Sequence, residues 1–172
     1  MTAPGRDTLL PAPVSGLSDL RVARAETAEE MDQALDVRRA VFAVEQGVAD
    51  LRVSDPDDAR GLTVIASLRI GSGEASEWRA VSTGRLTPWP ADAGPALIAW
   101  VATLPEFRGL GIGAQVMRVL LDDADYAGVQ LVTLAAQVPA ERFYQRLGFR
   151  ATGPRYDVRG IPHVRMNRLR PH

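Results

Sequence analysis

The clearest pattern of apolar and polar positions lies in the middle of the chain. The segment Ala96–Thr103 is an apolar run that contains Val and Ile and lies between two prolines, and it predicts a buried strand. Arg108–Gly113 follows with three alternate glycines, which allow a tight turn and leave backbone N–H groups uncovered. Apolar periodicity resumes at Ile112 and predicts that a helix begins there. Uncovered amides at a helix N-terminus bind anions, so this glycine-rich turn, with Arg108 beside it, predicts a pyrophosphate-binding site.

Alternation and helical spacing predict the remaining elements. Leu17–Ala25 alternates as a strand does, and Thr27 is a candidate N-cap for an amphipathic helix that ends near Gly47. The other segments predict two strands of an antiparallel hairpin (Leu62–Leu68 and Glu77–Leu86), a helix from Ile112 to Gly128, a strand (Val129–Ala135), a short helix (Ala140–Leu147) and two last strands (Phe149–Val158 and His163–Leu169).

The order of these elements predicts the fold class. It indicates an α/β (α+β) fold with a mixed central sheet of about seven strands and helices on both faces. Prolines and small residues at positions 1–17 predict a disordered N-terminal tail. Residues 18–172 predict one domain, since 172 residues suffice for one full core and are too few for two ordinary ones.

Composition narrows the classes of function. The chain is 46% hydrophobic and 24% charged, as in globular proteins, and its net charge of −1 argues against a general nucleic-acid binder. With no cysteine, disulfides and thiolate metal sites are excluded. No run of ~18 apolar residues is present for a membrane span. The N-terminus also lacks the long apolar stretch of a signal peptide, so we expect a cytoplasmic protein without nucleic-acid or membrane partners.

The glycine-rich turn has three other possible interpretations. A P-loop requires a lysine, whereas all 20 basic residues here are arginine. Gly109-x-Gly111-x-x-Ala114 also matches a dinucleotide fingerprint, but that fingerprint needs an acid after the next strand, where Leu134-Ala-Ala-Gln137 stands. A turn that only caps a helix needs fewer glycines. The pyrophosphate site is therefore the favoured interpretation.

Metal ligands are the other chemistry to consider. Four aspartates lie in the polar segment at positions 49–61: Asp50, Asp55, Asp57 and Asp58. They lack the EF-hand spacing, and a solvated loop is the favoured interpretation. The two histidines, His163 and His172, offer no metal pair, so we expect no metal.

Two motifs together resemble the GNAT superfamily of acyl-CoA N-acyltransferases. They are Arg108-x-x-Gly111-x-Gly113-Ala114 after an apolar strand, and Phe143-Tyr-x-x-x-Gly-Phe149 further on. Three more segments are similar to the ElaA-type branch of bacterial GNAT proteins: Arg38–Gln46, Leu134–Gln137 and Gly160–His163. The resemblance covers most of the chain. One position departs from it, because Trp100 stands where the family often has a charged residue before the valine of the central strand.

The resemblance implies where acetyl-CoA binds. Val101 and Thr103 offer backbone groups to the pantetheine, which a strand edge can pair with as it would with another strand. Gln137 contacts the cofactor or orients the substrate, unless it only caps the next helix. The pyrophosphate lies against Arg108 and the backbone amides of Gly109, Leu110, Gly111, Ile112, Gly113 and Ala114.

Three side chains are candidates for proton transfer. The resemblance assigns Tyr144 as the general acid, because a phenol of pKa about 10 can protonate the thiolate that leaves acetyl-CoA. Its alternative role is packing beside Phe143. Glu45 is the candidate base for the attacking amine, directly or through a water, and its alternative is a solvated helix end. His163 is a base or a substrate contact, unless it is a structural residue beside a turn.

The sequence thus predicts an acetyl-CoA-dependent N-acetyltransferase that acts on a primary amine, with Phe42, Gln46 and His163 in the acceptor site. Without a cysteine or a GxSxG motif, the amine attacks the thioester directly. We expect a small-molecule or peptide acceptor and a monomer or homodimer. Two alternatives stay open: a non-catalytic acyl-CoA-binding sensor, or an acyl-homoserine-lactone synthase. The glycine-rich turn counts against the second, because those enzymes bind an acyl carrier protein.

Overall fold

The computed structural model describes residues 19–70, 76–89 and 94–171. The predicted tail at positions 1–17 and the predicted hairpin turn at positions 71–73 lie outside these ranges. The strands are β1 (Leu20–Arg24), β2 (Leu62–Ile70), β3 (Glu77–Thr87), β4 (Ala96–Thr103), β5 (Leu131–Gln137), β6 (Arg150–Val158) and β7 (Ile161–Leu169). The α-helices are α1 (Ala28–Arg38), α2 (Ile112–Tyr126) and α3 (Glu141–Gln145).

All seven strands belong to one sheet, in the order β1-β2-β3-β4-β5-β7-β6. Only β4 and β5 pair in parallel. Every residue from Leu62 to Leu68 in β2 is buried, so both faces of the sheet are covered there. The helices α1 and α2 both pack against β2 and β3. The predicted mixed sheet of seven strands with helices on both faces is confirmed.

The first helix changes its hydrogen-bond pattern partway. Thr27 caps it as predicted, because its side chain accepts the N–H of Glu30 and the Glu30 carboxylate accepts the N–H of Thr27. After α1, a π-helix continues over Arg39–Glu45. Its wider turn is defined by bonds such as Val48 N–H to the Ala43 carbonyl at 2.8 Å. The sequence predicts one continuous α-helix here, since apolar periodicity does not distinguish these two patterns.

Within the described residues, short 3₁₀ segments connect the larger elements at Pro56–Arg60, Pro105–Phe107 and Val138–Ala140. The strands and the α-helices agree in type with the sequence predictions, apart from the π-helix, whereas several ends are shifted. The strand β5 begins at Leu131 and not at Val129, because the Val129 N–H still bonds to the Ala124 carbonyl of α2 at 3.0 Å.

Candidate active site

A cleft opens where β4 and β5 separate. Their parallel pairing is confined to Ala96 opposite Val132 and Leu97 opposite Thr133. Beyond that point the two strands border a cavity of about 1010 Å³. This volume suits a cofactor or ligand site.

A bulge in β4 shapes one wall of this cleft. Thr83 pairs with Ala102 and Arg85 with Ala99, so Trp100 and Val101 together face the single residue Gly84. Trp100 has a φ of 56°, in the left-handed region that bulky residues rarely adopt. The bulge therefore includes Val101, the first of the predicted pantetheine-binding positions.

The glycine-rich turn lies at one end of the cleft. Gly109 and Gly111 each have a φ of 77°, which a residue with a Cβ rarely adopts. Gly111 is the N-cap of α2 and offers no side chain to the first amides of the helix. Gly113 lies so near β4 that an added Cβ would come within 3.0 Å of Thr103 Oγ1. The first turn of α2 therefore presents amides that no capping side chain covers, which is what an anion-binding helix N-terminus requires.

The predicted pyrophosphate-binding residues of this turn do not all face the cleft. Leu110 is 39% exposed, and its side chain is not part of the lining. The cavity is bordered by Arg108, Gly109, Gly111, Ile112, Gly113 and Ala114. Leu110 therefore has only its backbone amide to offer.

Arg108 and Glu45 form an ion pair with each other. Two guanidinium nitrogens donate to the Glu45 carboxylate at 2.7 and 2.6 Å, and Arg108 Nε donates to the Thr103 carbonyl at 2.9 Å. The hydrogen bonds from Arg108 lower the pKa of Glu45 below its ordinary value. In this arrangement Glu45 is a weaker base than a solvated glutamate, and Arg108 is already paired.

Tyr144 lies on α3 at the cleft and is buried. Its ring contacts Phe143 edge to face, with centroids 4.9 Å apart, and Phe149 at 6.0 Å. Burial raises the pKa of its phenol above the ordinary value of 10. Tyr144 therefore stays protonated at neutral pH and can donate a hydrogen bond within the cleft.

The predicted acceptor-site residues lie at the cleft as well. Gln46 and Gln137 pair through both amide groups, with N–O distances of 3.1 and 3.2 Å. His163 Nδ1 lies 2.7 Å from the Ile161 carbonyl oxygen, which can only accept, so Nδ1 is the donor in this contact. The cavity is lined by Phe42, Glu45, Gln46, Val101, Thr103, Gln137, Tyr144 and His163 among others.

The aspartates at positions 55–58 are not the solvated loop that the sequence favours. Asp55 and Asp58 each accept a hydrogen bond from Arg85, at 2.6 and 2.7 Å. Asp58 also accepts from Arg38 at 2.9 Å. Burial is the largest single effect and opposes ionisation of both aspartates, yet the hydrogen bonds and charges of their neighbours, Arg85 first among them, together lower the pKa of each below its ordinary value.

Both arginines of this cluster were missed by sequence reasoning as site residues. Arg38 is 0% exposed and Arg85 is 1% exposed. The one signal in the sequence for Arg85 was a charged residue inside a predicted strand, beside the apolar Leu86. Fully buried arginines need anionic partners, and the aspartates supply them. The ion pairs join α1, β3 and the segment beside the cleft.

Two further observations concern the described ranges 19–70, 76–89 and 94–171. No helix there is long and apolar enough to cross a lipid bilayer. No three side chains among His, Cys, Asp and Glu lie close enough together there to hold a metal ion.

Comparison with known proteins agrees with this architecture. Residues 94–170 match the family model described as an acetyltransferase (GNAT) domain. The protein ElaA of Escherichia coli (strain K12) is 30% identical over 138 residues, which cover 78% of this chain and 84% of that protein. An acyl-CoA N-acyltransferase structure from Pseudomonas aeruginosa is 26% identical with a TM-score of 0.69, covering 88% of this chain and 99% of that one. A GNAT family acetyltransferase from Elizabethkingia anophelis, solved with acetyl-CoA bound, has the same fold at a TM-score of 0.56 and 16% identity, covering 88% and 99%.

The strands β4 and β5, which border the cleft, and the uncapped start of α2 lie within the matched segment. The likeness to ElaA covers a larger share of the chain than this segment. The chain therefore belongs to the GNAT acetyltransferase superfamily, in the branch that includes ElaA, and carries a GNAT acyl-CoA N-acyltransferase domain.

Proposed function

We propose that this protein transfers an acetyl group from acetyl-CoA to a primary amine. The observation that supports this most is that one cleft joins the glycine-rich turn, the open edge of β4 and the buried phenol of Tyr144. Acetyl-CoA has an anionic pyrophosphate, an extended pantetheine and a reactive thioester, which correspond in order to the turn, the strand edge and the phenol. The acetyl-CoA bound in the structurally similar Elizabethkingia protein supports the choice of donor.

The chain's own groups fit such a donor. The amides that start α2 at Gly111–Gly113 are available to the pyrophosphate. The edge of β4 beyond Leu97 is not paired with β5, so Val101 and Thr103 can bond the amides of the pantetheine. In this pose the thioester lies between Val101 and Tyr144.

The proposed reaction is a direct transfer. The amine nitrogen forms a bond to the thioester carbonyl carbon, the carbon–sulfur bond breaks, and backbone amides near Val101 stabilise the oxyanion between these events. Tyr144 donates its proton to the departing sulfur. The amine gives up one proton to Glu45 or to a water, so the products are the N-acetyl compound and free CoA thiol. His163, whose Nδ1 is engaged by the Ile161 carbonyl, is the second candidate to accept that proton, at Nε2.

In this scheme the ion pair between Arg108 and Glu45 opens when the donor binds. The guanidinium then exchanges the Glu45 carboxylate for the pyrophosphate as its anionic partner. Pyrophosphate binding would free the Glu45 carboxylate and, by removing the neighbouring guanidinium, return its pKa toward the ordinary value. Donor binding would then prepare the base.

The same ion pair is the observation that favours the second candidate function. If it persists when the donor is bound, Glu45 stays a poor base, and the chain would bind acyl-CoA without transferring the acyl group. A non-catalytic acyl-CoA-binding sensor is therefore the alternative. Turnover separates the two functions.

The test measures release of free CoA thiol from acetyl-CoA in a screen of primary amines: peptides, lysine, polyamines and aminoglycosides. We expect the wild-type protein to turn over at least one class. Tyr144→Phe should lower kcat by roughly 10²-fold with acetyl-CoA affinity changed less than about twofold. Because the pKa of Tyr144 is raised, kcat should show no loss due to phenol ionisation up to about pH 10.

The matched control is Tyr126→Phe, which removes the hydroxyl of a tyrosine that is 93% exposed at the end of α2. It should leave turnover unchanged. Binding of acetyl-CoA with no acetylated product from any amine would support the sensor. Unaltered turnover in Tyr144→Phe would reject the role of that phenol.

A further inference from the structure

We propose that Asp55 and Trp100 act as positioning residues: the hydrogen bond between them fixes the β4 bulge and thereby the place of Val101 at the thioester. This inference rests on the proposed function for its catalytic consequence. Its structural part concerns two segments that are 45 residues apart in the chain. The contacts that support it lie on three sides of one indole ring.

The bulge requires something to hold it. Trp100 is one of two residues other than glycine with a positive φ in the described ranges, and it lies inside a strand of the central sheet. A bulky side chain stays in the left-handed region only where its surroundings determine its position. The ring of Trp100 is therefore expected to have contacts that select this backbone conformation.

Three contacts do this. Trp100 Nε1 donates to Asp55 Oδ2 at 2.9 Å. The ring of Phe42, from the π-helix, meets the indole edge to face at 5.3 Å between centroids. The guanidinium carbon of Arg38 lies 5.3 Å from the ring centroid on a face of the indole. Of these, only the bond to Asp55 defines a direction in the plane of the ring.

Asp55 is itself held by buried charge. Its Oδ1 accepts from Arg85 at 2.6 Å and from the backbone N–H of Asp57 at 2.9 Å. Arg85 comes from β3, the neighbour of β4, and is shared with Asp58. The carboxylate of Asp55 therefore has a fixed position relative to the sheet. Its hydrogen bond to Nε1 then fixes the orientation of the Trp100 ring.

The bulge matters to the reaction because side chains and amides alternate along a strand. Two residues of β4 face Gly84, so the registers before Ala99 and after Ala102 differ by one residue. A bulge that relaxes or moves by one residue would turn the amide of Val101 away from its present direction. The thioester carbonyl would then lose its hydrogen-bond donor, while the pyrophosphate site on α2 would be unaffected.

The test uses two variants that preserve shape. Trp100→Phe keeps an aromatic ring and removes the N–H. Asp55→Asn leaves one oxygen for the two donors Arg85 and Trp100, so with that oxygen on Arg85 the indole N–H faces an amide NH₂ and loses its acceptor. The controls are Trp78→Phe, on an exposed tryptophan of β3, and Asp123→Asn, which breaks the ion pair with Arg24 away from the cleft. Both controls remove comparable groups without touching the bulge.

Two readouts do not require turnover. The indole N–H resonance of Trp100 should be protected from solvent exchange in the wild type and lose that protection in Asp55→Asn. The infrared carbonyl band of acetyl-CoA labelled with ¹³C at the acetyl carbonyl should move to lower frequency on binding to the wild type. That displacement should be lost in Trp100→Phe and Asp55→Asn and kept in both controls.

The kinetic expectation is a separation of turnover from binding. In Trp100→Phe and Asp55→Asn, kcat should fall at least about tenfold, because small misplacements of a reacting group are costly. The dissociation constant of acetyl-CoA should stay within about twofold, because the pyrophosphate site is intact. A parallel loss of affinity, kcat and melting temperature would mean a purely structural role and would overturn the proposal.

Failure of the proposed function can be distinguished from failure of this inference. If the wild type acetylates no amine, the proposed function fails, and the exchange and infrared measurements still decide the role of Asp55 and Trp100. An unprotected indole N–H in the wild type would overturn the inference even if turnover is observed. So would a carbonyl band that is the same in Trp100→Phe as in the wild type.

Discussion

Glu45 and Arg108 bind each other across the cleft, although the sequence predicts separate roles for them. Each role arises from a local motif, and neither motif contains the other residue. The two oxygen atoms of Glu45 face two nitrogen atoms of Arg108, so the charge of each residue is balanced by the other in this arrangement. At the scale of residues, the site therefore contains an ion pair between Glu45 and Arg108, which a bound anion would separate in the proposed scheme.

Removing the carboxylate should strengthen donor binding. In Glu45→Gln, Arg108 loses its anionic partner and becomes available to the pyrophosphate, so we expect the dissociation constant of acetyl-CoA to fall by about twofold to fivefold, the range of an exposed ion pair. Isothermal titration calorimetry at low ionic strength measures this. If Glu45 is also the base, kcat falls in the same variant.

Glu106→Gln is the matched control for this change. It removes the same charge two residues from Arg108, but Glu106 makes no hydrogen bond to that guanidinium and lies 3.9 Å from Arg79. The charge of Glu106 also acts on Arg108, but without a hydrogen bond, so the dissociation constant of acetyl-CoA should change less in Glu106→Gln than in Glu45→Gln. Weaker acetyl-CoA binding in Glu45→Gln would show that Arg108 does not contact the donor.

At the scale of elements, apolar periodicity predicted the regular strands and helices but not the local irregularities within them. The apolar run of β4 and the spacing in α2 indicate their elements directly, since each buries one continuous surface. The π-helix at Arg39–Glu45 and the bulge at Trp100 each add a residue within an otherwise regular pattern. The apolar character on both sides of the addition is unchanged. These two features cannot be predicted from apolar spacing alone, and both lie at the cleft.

Gly84 permits the close approach of α2 to the bulge. A Cβ at this position would lie 2.9 Å from Leu120 Cδ1 and 3.2 Å from Val116 Cγ1. Gly84→Ala should therefore lower the free energy of unfolding by about 1–3 kcal/mol, the usual cost of overpacking a core. Urea unfolding measures the change. Gly113→Ala, whose nearest contact would be Thr103 Oγ1 at 3.0 Å, should cost less, and an equal loss in both variants would contradict this account.

At the scale of the whole molecule, buried charge connects segments that lie far apart in the chain. Arg38 at the end of α1 and Arg85 in β3 meet at Asp58. The fold class was predictable because each element shows its own pattern. The partners of these ions were not, because long-range pairing leaves no periodic trace in the sequence. For the same reason the aspartates resembled a solvated loop.

Low pH should weaken the ion pairs that Asp58 forms with Arg38 and Arg85. The pKa of Asp58 in the folded state lies below its ordinary value, so its ion pairs stabilise the fold fully above the ordinary pKa of about 3.9 and lose effect as pH falls through the lower folded value. Asp58→Asn leaves Arg38 without its anion and should cost about 3–5 kcal/mol at neutral pH. The difference between wild type and variant should shrink below about pH 4.

Urea unfolding from pH 3 to pH 7 tests this dependence. Asp57→Asn is the control, because Asp57 is about one third exposed and lies 3.8 Å from Arg85. Its effect should be smaller and should vary less with pH. A difference between Asp58→Asn and wild type that is constant over the whole range would contradict the assignment.

The buried cluster also divides the arginines of this chain into two kinds. Exposed positions such as Arg39 and Arg60 carry cations that are solvated, where lysine would serve as well. Arg38 and Arg85 are different because both are buried. A buried lysine readily loses its proton, whereas a guanidinium keeps its charge beside Asp58. Arginine-to-lysine substitutions should therefore be tolerated over the surface of the protein, whereas at Arg38 and Arg85 they should destabilise the fold.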